Sequence, residues 1–297
     1  MTILNTPDAR FENLPDFPFV PNYLEIGDGL KMHYVDEGPS DGKVILLLHG
    51  EPSWSFLYRK MIPIFVAAGY RTIAPDLIGF GKSSKPTEQS DYTYKRHLEW
   101  MDTFVKSLDL KGINAFFQDW GGLIGLRNAL DNEERYGSIT VGNTFLPTGE
   151  VGANEAFLQW QLFSQKSPKF DIGTILQRAT VSELSPEVVA AYNAPFPDDT
   201  YKAGARIFPT LVPITVDTPE AMNNKMAWGK LVRWTKPFLT LFSDADPIMS
   251  GLEKYFIKNV PGAKGQAHEI IEGGGHFLQE DKGEEIAKKM VAFLQVL

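Results

Sequence analysis

Asp119 in F-Q-D-W-G-G, Asp246 in S-D-A-D-P and His276 in G-G-G-H-F have the types and the chain order of a nucleophile, an acid and a base. Asp119 follows an apolar run and precedes paired glycines that open a helical pattern. That outline of strand, tight turn and helix is a nucleophile elbow, which usually carries serine as G-x-S-x-G. A carboxylate in that place can attack an sp3 carbon without first giving up a proton. Each residue also has a plainer explanation. Aspartate is a favoured helix N-cap, Asp before Pro often opens a turn, and a histidine among glycines is commonly just exposed. The order nucleophile, acid, histidine, with each residue after a strand-like run, outweighs those explanations taken singly. Asp244 is the competing candidate for the acid.

The residue types imply two steps. Asp119 displaces a leaving group and becomes an alkyl ester. His276, oriented by Asp246, then activates the water that cleaves it. The turn His49-Gly50-Glu51-Pro52 follows another apolar run, so the N–H groups of Glu51 and Trp120 are expected to form the oxyanion hole. An oxygen leaving group would need an acid, for which Tyr192 and Tyr201 are available, though a structural role is the commoner reading of both. A halide needs no proton but gains from N–H donors, at about 1.5–3 kcal/mol for each bond to a charged partner. Trp120 is one such donor, and Trp160 in F-L-Q-W-Q-L is the second unless it is simply a core aromatic. Leu123, Phe157, Ile248 and Met249 are apolar neighbours of these motifs and candidate pocket residues.

Positioning these groups requires a buried sheet. Val44 to Leu48, Arg71 to Pro75 and Ile113 to Phe117 are continuous apolar runs, and Phe56 to Val66 and Leu123 to Leu130 read as helices. Ser138 to Val141, Phe238 to Phe242 and His268 to Ile271 continue the sheet, and Glu284 to Leu294 closes the chain as an amphipathic helix with Ile286, Met290, Val291 and Leu294 on one face. Apolar strands separated by helices predict a mostly parallel sheet covered on both sides, an α/β fold. From Pro147 to about Trp228 the rhythm changes to short helical patterns rich in proline and aromatic residues. The expected division is a core of residues 1–147 and 228–297 with a helical cap of 148–227. Such a cap would cover the carboxyl ends of the strands, where open sheets bind ligands.

Composition narrows the class. The 297 residues carry a net charge of −8, which disfavours nucleic acid as a partner. The absence of cysteine removes disulfides and thiolate metal sites. The first ten residues lack a charged-then-apolar signal pattern, and no apolar run approaches a membrane span. A cytoplasmic protein is expected, and a monomer.

The motifs H-G-E-P-S-W-S-F from His49, P-D-L-I-G-F-G-K-S from Pro75, Q-D-W-G-G from Gln118, A-Y-N-A-P-F-P-D from Ala191 and G-G-H-F-L-Q-E from Gly274 resemble those of haloalkane dehalogenases, over most of the chain. The resemblance implies the α/β-hydrolase fold, cofactor-free hydrolysis of haloalkanes to alcohol and halide, and halide binding by Trp120. It also implies the roles given above for Asp119, His276 and Asp246. Many members carry Asn after His-Gly as a halide donor. Here the residue is Glu51, expected as an anion that would repel halide, so the chain resembles the subfamily with a cap tryptophan as second donor. Trp160 fits that role, with Trp228 the alternative; Glu51 would then be free to hold the hydrolytic water. Epoxide hydrolases share the fold and the Asp nucleophile, but Gln118 and Glu51 fit them poorly. A catalytically silent binding protein of the same fold is a further alternative, against which the three intact residues speak.

Overall fold

The chain enters the sheet from its exposed edge. In the computed structural model, which describes residues 1–297, β1 (Ile3–Leu4) precedes β2 (Asn22–Glu25) and β3 (Lys31–Glu37), both with partly exposed residues. β4 (Val44–Leu48) is buried at every position. The expected helix over Phe56 to Val66 is instead a 3-10 turn, Ser55–Tyr58, and a separate α1 (Ile62–Ala67). Pro63 is the reason: it lacks an N–H and is tolerated only in a first turn, so the helix starts there.

Then follow β5 (Arg71–Pro75), β6 (Lys85–Pro86), α2 (Tyr94–Ser107), β7 (Ile113–Gln118), α3 (Trp120–Asp131) and β8 (Tyr136–Gly142). No strand forms in the next segment, which holds α4 (Glu155–Lys166), α5 (Ile172–Arg178), α6 (Pro186–Asn193), α7 (Ala203–Leu211) and α8 (Pro219–Leu231). Its prolines start helices as well as breaking them. Pro186 and Pro219 occupy first-turn positions, and Asn154, Asp171, Ser185 and Thr218 cap α4, α5, α6 and α8 through their side chains. The expected cap–core junction at 227/228 lies inside α8. The chain closes with β9 (Phe238–Ser243), α9 (Glu253–Asn259), β10 (Glu269–Ile271) and α10 (Leu278–Gln295).

β1 pairs with β6, and the other eight strands form one sheet in the order β10-β9-β8-β7-β4-β5-β3-β2. β2 and β3 are antiparallel to their neighbours and the rest are parallel. β4 lies between β5 and β7, so the strand order reverses there, and ligands bind outside the strand ends at such a point. Leu48 pairs with Phe117, which brings the loops after β4 and β7 side by side.

α10 starts six residues before the expected Glu284 and is kinked at Lys282. Gly283 lets α10 approach Lys60 and Met61 closely. Ile286, Met290 and Leu294 are buried as expected, Val291 only partly, and Phe293 joins them. Near its start, Glu280 receives Arg59 Nη1 and Nη2 at 2.6 and 2.7 Å, Lys60 Nζ at 2.8 Å and Tyr192 Oη at 2.6 Å. Burial opposes charge on Glu280, yet Arg59 and Lys60 prevail and bring its pKa down to about 2.

A depressed carboxylate pKa stabilises the fold fully above the unfolded value. The benefit disappears as the pH falls from about 4.5 towards 2. Glu280→Gln is expected to destabilise the protein at pH 7 by about 3–5 kcal/mol, because Arg59 is left buried without its partner. It should also flatten the acid limb of stability between those pH values. Urea unfolding across pH checks both; an unchanged midpoint at pH 7 would contradict the first.

Candidate active site

The elbow is built by close backbone packing. Asp119 has φ 49° and ψ −126°, a left-handed conformation costly for any residue but glycine. Its main chain is fully engaged: Asp119 N donates to Asn143 O at 3.0 Å, and Thr144 Oγ1 donates to Asp119 O at 2.7 Å. Gly121 and Gly122 are required, since a Cβ on them would overlap the Leu48 carbonyl and Thr144 Oγ1. The capping explanation for Asp119 fails on geometry. Its side chain accepts nothing from α3, and Oδ1 instead takes the Glu51 N–H across the loops at 2.8 Å. As the first residue of α3, Trp120 has a main-chain N–H without an intrahelical acceptor, beside the same carboxylate.

His276 follows β10 and is joined to both aspartates. Nδ1 lies 2.7 Å from Asp246 Oδ2, and Nε2 lies 3.5 Å from Asp119 Oδ2. Asp246 is buried, and its Oδ1 accepts the N–H groups of Ile248 and Met249 at 2.8 and 3.2 Å. Burial disfavours the Asp246 charge, but His276 and these N–H groups hold its pKa below the ordinary value. Burial also opposes charge on His276, and Asp246 and Asp119 together overcome it, raising the imidazole well above its usual pKa. Asp244 is elsewhere. Its Oδ1 accepts the N–H groups of Gly273 and Gly274, shaping the glycine loop before His276.

Glu51 departs from expectation. Its side chain is buried, and burial followed by the nearby Asp119 raises its pKa well above the carboxylate range, with His276 and Trp160 only partly opposing. The site therefore disfavours the anion expected from sequence. Its Oε1 has no hydrogen-bond partner.

A cavity of about 820 Å³ opens over these groups, lined by Asp119, His276, Glu51, Trp120 and Trp160 among others. Leu123, Phe157, Ile248 and Met249 line it too. Trp120 packs edge-on to Tyr94, with ring centres 5.1 Å apart, and against Phe208 at 4.7 Å, so its indole is held rigidly at the wall. Trp228 is not in the wall, and its Nε1 donates to Leu146 O at 2.8 Å. Tyr192 is buried on Glu280, and Tyr201 does not reach the cavity. No group of three or more His, Asp or Glu side chains is arranged to hold a metal ion.

Two side chains position the His276 loop through contacts that motif reading does not show. Asn143, just beyond β8, donates to Ser243 Oγ at 2.7 Å and to the carbonyls of Gly275 and His276 at 2.9 and 3.1 Å. Gln118 donates to His276 O at 3.1 Å. Asn143 follows a strand end, the one signal that could have marked it; Gln118 stands in the elbow motif itself.

Residues 43–283 match the family model described as alpha/beta hydrolase fold. A haloalkane dehalogenase of Psychrobacter cryohalolentis is 56% identical over 99% of this chain and 98% of its own length. One from Mycobacterium marinum is 48% identical over 99% of this chain and 100% of its own. The structure of a tetrameric haloalkane dehalogenase from Paraglaciecola agarilytica NO2 superposes with a TM-score of 0.92, 36% identity and 98% coverage of both chains. With relatives this similar over its whole length, the chain belongs to the haloalkane dehalogenases of the α/β-hydrolase superfamily.

Proposed function

We propose that this haloalkane dehalogenase works through an alkyl ester on Asp119. The enzyme hydrolyses carbon–halogen bonds, taking a halogenated alkane and water to an alcohol and halide. Asp119 Oδ2 attacks the carbon, the carbon–halogen bond breaks with its electron pair, and halide leaves. Trp120 donates to it, and Trp160, whose indole lies beside Glu51 in the resting site, supplies the second N–H. His276, oriented by Asp246, then takes a proton from water, and the hydroxide attacks the ester carbonyl. The N–H groups of Glu51 and Trp120 stabilise the oxyanion, and its collapse expels the alcohol and restores the carboxylate. The unpartnered Glu51 Oε1 accepts a hydrogen bond from that water.

One observation carries this reading. Asp119 Oδ1 is held by Glu51 N–H while Oδ2 lies towards His276 on the cavity wall, the arrangement an attacking and later ester-bound carboxylate requires. Residues 1–147 and 228–297 act as the catalytic core, with 148–227 as a cap that supplies Trp160. All these groups come from one chain, which supports a monomer as the unit of catalysis. The proposed location is the cytoplasm; no helix is long and apolar enough to cross a membrane.

Incubation with 1-bromobutane and 1,2-dibromoethane should release halide, whereas styrene oxide should give no diol. Diol without halide would reverse the assignment. Trp120→Phe and Trp160→Phe should each lower kcat/KM by about 10- to 100-fold through loss of one donor to a charged group. Trp228→Phe should stay near wild type, since its N–H is spent on Leu146. Equal losses in all three would show that the tryptophans matter only for packing.

A further inference from the structure

The loop that carries His276 is bound to the cap through a single carboxylate. Asp281 Oδ2 accepts Gly275 N at 2.8 Å and Val181 N at 3.0 Å, and Oδ1 accepts Ser182 N at 2.7 Å. Phe277 N donates to Ala179 O at 3.3 Å, lacing the same two segments a second time. Gly275 permits this approach, because a Cβ there would lie 2.5 Å from Ala179 O and 3.0 Å from Thr180 Cα.

Aspartate near a helix start commonly serves its own helix, but here none of the three donors belongs to α10. Ala179, Thr180 and Val181 form cavity wall on the cap side, and Gly275, His276 and Phe277 form it on the core side. Asp281 itself does not line the cavity. It therefore touches neither substrate nor the reacting atoms, yet ties together six residues that do.

We propose that Asp281 is a positioning residue that seats His276 by clamping its loop to cap residues 179–182. The clamp rests on the two-step reading above, because it acts on the step that uses His276. Alkylation needs Asp119, which the elbow holds independently of this contact. Ester hydrolysis needs an imidazole aimed at water, and a shift of about 1 Å in such a group can cost on the order of 100-fold. Asparagine would keep part of the clamp, since a carbonyl oxygen at the Oδ2 position can still bridge Gly275 N and Val181 N while its NH2 faces the Ser182 N–H. The side chain therefore has to be shortened to open it.

Asp281→Ala and Asp281→Ser test this by single-turnover quench, with halide release reporting alkylation and loss of the protein-bound alkyl group reporting hydrolysis. The expected result is hydrolysis slowed about tenfold or more, with alkylation changed less than about threefold. The ratio of the two rates is read only on enzyme that forms ester, so a loss of folded protein does not alter it. Glu280 keeps its own link from α10 to Tyr192 of α6 in both variants. Both steps slowing in parallel, or neither slowing, would overturn the clamp. If the wild type forms an ester and hydrolyses it no faster than the variants do, only the clamp fails. If no ester is found even in His276→Gln, the two-step reading itself fails.

Discussion

His276→Gln is expected to turn over once and stop. Alkylation needs only the carboxylate and a place for halide, so one equivalent of halide per active site should appear at near wild-type rate. Hydrolysis of the ester loses its general base, a loss on the order of 100- to 10,000-fold. The intact mass should rise by the alkyl group of whichever substrate is used, and a peptide digest should place it on Asp119. Glutamine suits the test because it is polar and close to imidazole in volume, so the buried Asp246 is left with a possible donor. The same logic gives the pH dependence. The base must be neutral, so turnover falls as the pH drops through the pKa of His276 in the ester form, and ester accumulates in the wild type as well. A variant that releases halide steadily, or gains no mass, would remove His276 from the second step.

Replacing Asp119 should abolish both steps. Asp119→Ala and Asp119→Gly are each expected to lose at least about 10,000-fold in halide release, because no other carboxylate stands in the elbow. The two should differ in stability. Both lose the same carboxylate and the same contacts to Glu51 N–H and His276, but only alanine keeps a Cβ at φ 49°. Left-handed backbone costs a non-glycine residue roughly 1–2 kcal/mol, so the glycine variant should be the more stable by about 1 kcal/mol. Comparison of the two melting curves isolates the strain held at the elbow. Equal stability would mean that the elbow stores none, and residual activity in both would move the nucleophile elsewhere.

The parts of the fold legible in sequence are those where one physical demand dominates. V-I-L-L-L at 44–48 has every residue buried, so composition alone marks it as a central strand. K-M-H-Y-V-D-E at 31–37 is an antiparallel strand near the sheet edge with mixed exposure, and its His, Tyr and acidic residues hide the pattern. Residues 56–66 look helical by period, and the break at Pro63 is set by a single missing donor. The site divides in the same way. Asp119, Asp246 and His276 lie just past strand ends, where order along the chain predicts proximity, and the fold brings them together. Asp244 is nearly as well placed in sequence, and only the path of the glycine loop directs it to Gly273 and Gly274 instead. The charge on Glu51 could not be read from its type, since burial and a neighbouring carboxylate decide it. Asn143, Gln118 and Asp281 act on main-chain groups far away in sequence, and those partners exist only after folding.

The imidazole held between two aspartates also sets a timetable for protons. Both carboxylates favour its charged form in the resting site, against the pull of burial. Once Asp119 is esterified, one of those negative charges no longer exists, and burial is opposed by Asp246 alone. The ring loosens its hold on a proton at the moment a vacant nitrogen is wanted. In the proposed two-step cycle, modification of Asp119 thus favours the neutral base, and regeneration of the carboxylate again favours its charged form.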